Sequence, residues 1–177
     1  MGTKVHRTVT LHEGRVFRLV SERVSLDNGV ITDMEVIRHP GASAVVALSH
    51  GNTLLLLKQY RHALGEYIWE IPAGTLNRGE TPLECAKREL IEETGFSGTV
   101  WHDLGTILPV PGYSDERVHL FLARDLEPAR QNLDYDELLE VNRIGLDQAM
   151  EMIQRGEIQD GKTVSGLFLA RCWLSAR

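Results

Sequence analysis

Three glutamates, Glu89, Glu92 and Glu93, fall at spacing i, i+3, i+4. On a helix, at about 100° per residue, all three project within roughly a 100° sector and share one face. Like charges so placed destabilise an isolated helix by roughly a few tenths of a kcal/mol per pair. Two arrangements answer that repulsion: solvent screens the carboxylates, as on any acidic helix face, or a cation sits among them. In the second case the chemistry is that of a hard divalent ion. Such an ion prefers oxygen ligands and neutralises phosphate oxygens while water attacks phosphorus in line. Arg88 lies on a neighbouring sector of the helix. It can pair with Glu80 and pin loop to helix, or act directly on substrate as a catalytic group.

The element that must carry these acids is well marked. Thr81-Pro82-Leu83-Glu84 is a helix start, with a Thr N-cap, Pro in the first helical position and Glu closing a capping box; Gly95 is the stop. Leu83, Ala86 and Leu90 form the stripe that packs on a sheet. Upstream, Val16 to Val24 and Val30 to Ile37 flank the turn Asp27-Asn28-Gly29 and predict a hairpin. A second hairpin, Ala42 to Leu48 and Thr53 to Tyr60, is apolar enough to be central, and Tyr67 to Ile71 is a short strand leading into Pro72-Ala73-Gly74. Downstream the pattern predicts strands at Val100 to Leu108, Val118 to Ala123 and Glu140 to Ile144, with a polar loop from Arg124 to Glu137. Two helices close the sequence, one lined by Leu146, Ala149, Met150 and Ile153, the other by Val164, Leu167, Phe168, Arg171 and Leu174.

The composition narrows the class. A chain of 177 residues suits one domain with a short arm. Two cysteines, Cys85 and Cys172, offer neither a disulfide framework nor closely spaced zinc ligands, which suggests a reducing cytoplasm. Apolar runs are too short for a bilayer and no leader-type segment is present, so no membrane is expected. A net charge of -6 with no basic stripe argues against nucleic acid as partner.

From Gly74 to Phe96 the positions Gly74, Glu80, Arg88-Glu89-Leu90, Glu92-Glu93 and Gly95-Phe96 match every specified residue of the Nudix box, and the chain resembles that hydrolase family. The resemblance implies an α/β/α sandwich with a mixed sheet and an N-terminal antiparallel β arm. The arm, residues 1–40, would serve dimerisation and base binding, and residues 41–177 would form the catalytic domain. It also implies Mg²⁺, with Mn²⁺ or Zn²⁺ as substitutes, held by Glu89 and Glu93, by Glu92 as an additional ligand, and by the carbonyl of Ala73. Gly74, lacking a Cβ, would let the loop bend close to metal and diphosphate.

Outside the box, four features resemble the ADP-ribose pyrophosphatase branch: Met34 to Gly41, Gln59-Tyr60-Arg61, Trp69 to Gly74, and Pro111 to Glu116. Pro111, sixteen residues beyond Gly95, resembles the marker of that branch. By this likeness Arg61 contacts the diphosphate, Glu35 and Arg38 hold the adenine and ribose end, and Glu137 activates water, with Glu92 the alternative base and Asp134, Asp136 and Glu140 as competitors. Positions where relatives stack the base carry Val16 and Met34, with Phe17 or Tyr113 as substitutes; His39 reads as structural. The expected reaction is ADP-ribose plus water giving AMP and ribose 5-phosphate, in a homodimer. The same chemistry on GDP-mannose or ADP-glucose, and a non-catalytic nucleotide-sensing regulator, are the alternatives.

Overall fold

The computed structural model describes residues 2–176, which gather into two compact units. The first takes the chain up to Gly41 together with Leu108–Arg117. Its strands β1 (Lys4–Glu13), β2 (Arg18–Ser25) and β3 (Ile31–Arg38) form an antiparallel sheet in that order. The hairpin read from the sequence is β2–β3. Gly29 closes it at φ 83°, a conformation in which other residues are strained. β1 lies outside the elements expected from the sequence: every residue of it is exposed, so no buried alternation announces it. Leu108–Arg117 is stitched to β3: the Ile37 N–H donates to Tyr113 O at 2.8 Å, and the Asp115 carboxylate accepts the His39 N–H at 2.8 Å.

The second unit contains the mixed sheet. Its strands are β4 (Ala42–Ser49), β5 (Thr53–Arg61), β6 (Glu66–Glu70), β7 (Ala73–Thr75), β8 (Phe96–Ile107), β9 (Val118–Pro128) and β10 (Leu139–Gly145). The order is β10-β5-β4-β9-β8, with β6 on β5 and β7 on β4. β4 and β9 run parallel; every other pairing is antiparallel. Three helices cover it: α1 (Pro82–Thr94), α2 (Leu146–Gln154) and α3 (Gly161–Ser175).

The alternation of the central strands decides the layers. Val45, Ala47 and Leu55 pack with Ala86 and Leu90 of α1 on one face. Val46, Leu48, Leu54 and Leu56 pack with Ala149 of α2 and Leu167 and Ala170 of α3 on the other. This is the expected α/β/α sandwich. Two readings need correction. Phe168, expected on the inner stripe of α3, is 58% exposed, because the face turned inward carries Thr163, Gly166, Leu167 and Ala170. A Cβ at Gly166 would come within 2.9 Å of Ile71 and 3.2 Å of Val46, so the helix approaches the sheet through its small residues. And β9 extends to Pro128, its polar end pairing with β8 at Phe96, where a loop is expected from Arg124 onward.

Helix α1 has both halves of its capping box. Thr81 Oγ1 accepts the Glu84 N–H at 3.3 Å, and the Glu84 carboxylate accepts the Thr81 N–H at 2.9 Å. Gly95 ends it at φ 72°, its N–H donating to Ile91 O. Replacing Thr81 with alanine is expected to cost about 1 kcal/mol, read as a melting temperature lower by about 2–4 °C for a chain of this size.

Candidate functional site

The site grows from the contact between α1 and the loop that precedes it. Ala73 and Gly74 are held by β7, paired with Ala44 and Ser43 of β4. From there the Ala73 N–H donates to Glu93 Oε2 at 2.8 Å. A Cβ built on Gly74 would lie 1.7 Å from Glu89 Oε1 and 2.0 Å from its carboxyl carbon. Gly74 is therefore required for space rather than for backbone freedom: the Glu89 carboxylate occupies the volume that any side chain would need. The Cys85 thiol donates to Gly74 O at 3.4 Å, and burial pushes that thiol up to about 11, so it stays neutral.

Arg88 organises the acids around it. It forms a two-pronged pair with Glu80, Nε to Oε1 at 2.8 Å and Nη2 to Oε2 at 3.0 Å, and donates to Thr75 O at 3.2 Å. That is the loop-to-helix pin read from the sequence. The same guanidinium also bridges Glu89 at 2.6 Å and Glu92 at 2.9 Å through Nη1, which the sequence reading leaves out. Its hydrogen bonds hold Glu80 below the usual carboxylate range.

Glu89 and Glu93 go the other way. Glu93 is 1% exposed and Glu89 8%. Burial raises both carboxyls, Glu93 well above its ordinary value, and the charge of Glu137 adds to the rise at each. Arg88 opposes it at Glu89; the Ala73 N–H and the charge of Arg61 oppose it at Glu93. Two adjacent carboxylates thus sit out of water with less positive charge than they need.

Glu137 reaches this neighbourhood from the loop between β9 and β10. The loop is tied to the end of α1, where Asn132 N–H donates to Glu92 O at 3.0 Å and Gln131 Nε2 to Glu93 O at 2.6 Å. These bonds satisfy carbonyls that a helix end leaves open. The Glu137 carboxylate itself accepts the Asp134 N–H at 2.9 Å. Arg61, at the end of β5, donates through Nε to Glu70 at 2.7 Å and keeps a 40% exposed side chain.

The other substrate candidates belong to the first unit. Glu35 is exposed on β3, and Pro111 is exposed in the Leu108–Arg117 segment. Arg38 is engaged by Glu22 at 2.8 Å and Asp115 at 3.0 Å. Its guanidinium thus has a structural duty in tying that segment to the sheet. His39 has one too, its Nδ1 accepting the Gly41 N–H at 3.0 Å.

Among the described residues, no group of three or more His, Cys, Asp or Glu side chains is arranged to hold a metal ion as it stands. Arg88 donates to Glu89 and to Glu92, and Glu93 accepts the Ala73 N–H. The donor set still fits a hard divalent cation: carboxylates alone, two of them buried and short of compensating charge, beside a glycine whose missing Cβ leaves them room.

Comparison with known proteins decides the family. The family model of the NUDIX domain matches residues 37–167, which include the whole capped helix, its loop and Glu137. The chain belongs to the Nudix family. Members of this hydrolase family generally need a divalent cation. The "Methanol dehydrogenase activator" of Bacillus methanolicus is 39% identical over 91% of this chain and 88% of its own length. An "ADP-ribose pyrophosphatase" of Bacillus subtilis (strain 168) is also 39% identical, over 86% of this chain and 84% of its own. A crystal structure of an ADP compounds hydrolase superposes with a TM-score of 0.87 at 27% identity, covering 99% of this chain and 96% of that one. No helix among the described residues is long and apolar enough to cross a membrane.

Proposed function

We propose that this Nudix hydrolase cleaves the diphosphate of ADP-ribose with water, giving AMP and ribose 5-phosphate, and that it uses Mg²⁺. The observation that carries the chemistry is the buried pair Glu89 and Glu93 beside Gly74, two carboxylates whose surroundings leave negative charge uncompensated. The substrate assignment is supported by the relatives named for ADP-ribose and ADP compounds, which match this chain over most of their length.

Glu89, Glu93 and Glu92, with the carbonyl of Ala73, would hold the cation; Mn²⁺ or Zn²⁺ would substitute. When bound, a divalent ion supplies charge neutralisation for the phosphate oxygens as the bridging P–O bond breaks. Arg61 would hold the diphosphate, a duty suited to a forked, permanently charged guanidinium. Its Nε is already fixed by Glu70, which leaves the exposed end for substrate. Arg88 keeps the acids and the Glu80 loop in register. Glu35, Arg38 and Pro111 remain proposed contributors to the nucleoside end, Arg38 alongside its ion pairs.

Glu137 would take the proton from the attacking water, with Glu92 the alternative. Its carboxylate is half-exposed on a loop anchored to α1, and its charge is felt at both buried acids. Replacing Glu137 with glutamine is expected to lower kcat by about 10²-fold with KM changed little, as for loss of a general base. An unchanged kcat passes the role to Glu92. The exposed Val5, Val9 and Leu11 of β1 support a homodimer through the arm, and the two separate, unpaired cysteines support a cytoplasmic setting.

The substrate is tested by measuring kcat/KM over ADP-ribose, ADP-glucose, GDP-mannose, FAD and NADH, with phosphatase-coupled phosphate release. ADP-ribose is expected to lead. A preference of about tenfold, 1.4 kcal/mol, for any other compound overturns the assignment.

A further inference from the structure

Glu70 is a carboxylate at the end of β6 whose side chain is 3% exposed, and two cations meet it there. Arg61 Nε donates to Oε2 at 2.7 Å, and Lys162 Nζ donates to Oε1. Lys162 lies in the first turn of α3, 92 positions further along the chain, and is itself mostly buried. Its ammonium also donates to Asp160 at 3.0 Å. Asp160 caps α3 by accepting the Thr163 N–H at 2.9 Å and the Thr163 hydroxyl at 2.6 Å. Thr163 Oγ1 in turn accepts the Ile71 N–H at 2.9 Å. The start of α3 therefore grips Glu70 and Ile71 twice, by charge and by backbone. Two residues beyond Ile71, the Ala73 N–H meets Glu93 and the Gly74 backbone makes room for Glu89.

We infer that Lys162, backed by Asp160 and Thr163, is a positioning group for the reaction: through Glu70 it fixes Arg61 toward the diphosphate. The inference rests on the proposed role of Arg61. A buried carboxylate with one oxygen left unpaired would turn or draw in water. With Lys162 on one oxygen, the other stays aimed at Arg61 Nε. The guanidinium is then held by one edge, and among the described residues no protein group is bonded to its Nη atoms. A forked cation held in that way loses less freedom when it takes a phosphate.

Steady-state kinetics of Lys162→Met, Arg61→Ala and the double variant on ADP-ribose test this, with the side-chain Nε–H exchange of Arg61 followed by NMR. Arg61→Ala is expected to raise KM by about tenfold or more, and Lys162→Met by about fivefold with kcat within about threefold. The double variant is expected to match Arg61→Ala within about twofold, because both changes remove the same interaction. Exchange at Arg61 Nε–H is expected to quicken in Lys162→Met without ligand. If the methionine variant does not fold, Lys162→Gln is measured against the same expectations. An unchanged KM at position 162 while Arg61→Ala raises it, or effects that multiply in the double variant, overturns the inference and leaves the role of Arg61 standing. An unchanged KM in Arg61→Ala removes that role, and the inference with it.

Discussion

Replacing Glu93 with glutamine is expected to lower kcat on ADP-ribose by about 10³-fold, several kcal/mol of transition-state stabilisation, without lowering the melting temperature of the metal-free chain. The two halves of that expectation have one cause. Glu93 is 1% exposed, and burial raises its carboxyl well above the ordinary value. A carboxyl raised on folding contributes stability below its unfolded value and loses it as pH rises through the folded one. Above that window the ionised group is a net cost to the metal-free fold. Glutamine removes the cost, and its carbonyl oxygen can still accept the Ala73 N–H. What it cannot do is supply the negative charge that a divalent cation requires. Activity near the parent level at saturating magnesium contradicts the assignment; a collapse in melting temperature with it would mean the group is structural.

The second large effect is expected at Gly74. Alanine there places a Cβ 1.7 Å from Glu89 Oε1, an impossible contact. The atom in the way is the end of a flexible side chain, so the carboxylate rather than the backbone must give. Stability should change by no more than about 1–2 kcal/mol, while kcat/KM falls by about 10²-fold or more because Glu89 has lost its seat. Gly79→Ala is the control. Gly79 has nothing within 4 Å of its would-be Cβ but lies at φ 82°, so alanine strains the backbone without touching the acids. It should lower the melting temperature and keep the activity. Equal loss of activity in both variants would mean that loop conformation, not the room for Glu89, is what Gly74 provides.

These effects separate what is local in the sequence from what is not. The helix that carries the acids is legible because its cap, first proline and terminal glycine lie within the helix or beside it, and the shared face of Glu89 and Glu93 follows from helical spacing alone. The central place of β4 and β5 follows from their near-continuous apolar runs. The exposed strand β1 has no such pattern, and the inward face of α3 is hidden because Gly166, Ala170 and Thr163 carry it in place of large apolar side chains. In the site, the Arg88–Glu80 pin follows from the box, whereas the approach of Glu89 to Gly74 depends on how close β7 comes to α1. Lys162 is the plainest case. Nothing near it in the sequence points to Glu70, since that pairing exists only once β6 and α3 are brought together.

The most direct test takes the EDTA-stripped chain, adds ADP-ribose, and resolves the products by ion-exchange chromatography before and after Mg²⁺ is supplied. No turnover is expected at first, then AMP and ribose 5-phosphate in equal amounts once magnesium is present. Turnover that proceeds without the ion, or magnesium-dependent cleavage that yields other products, would contradict it.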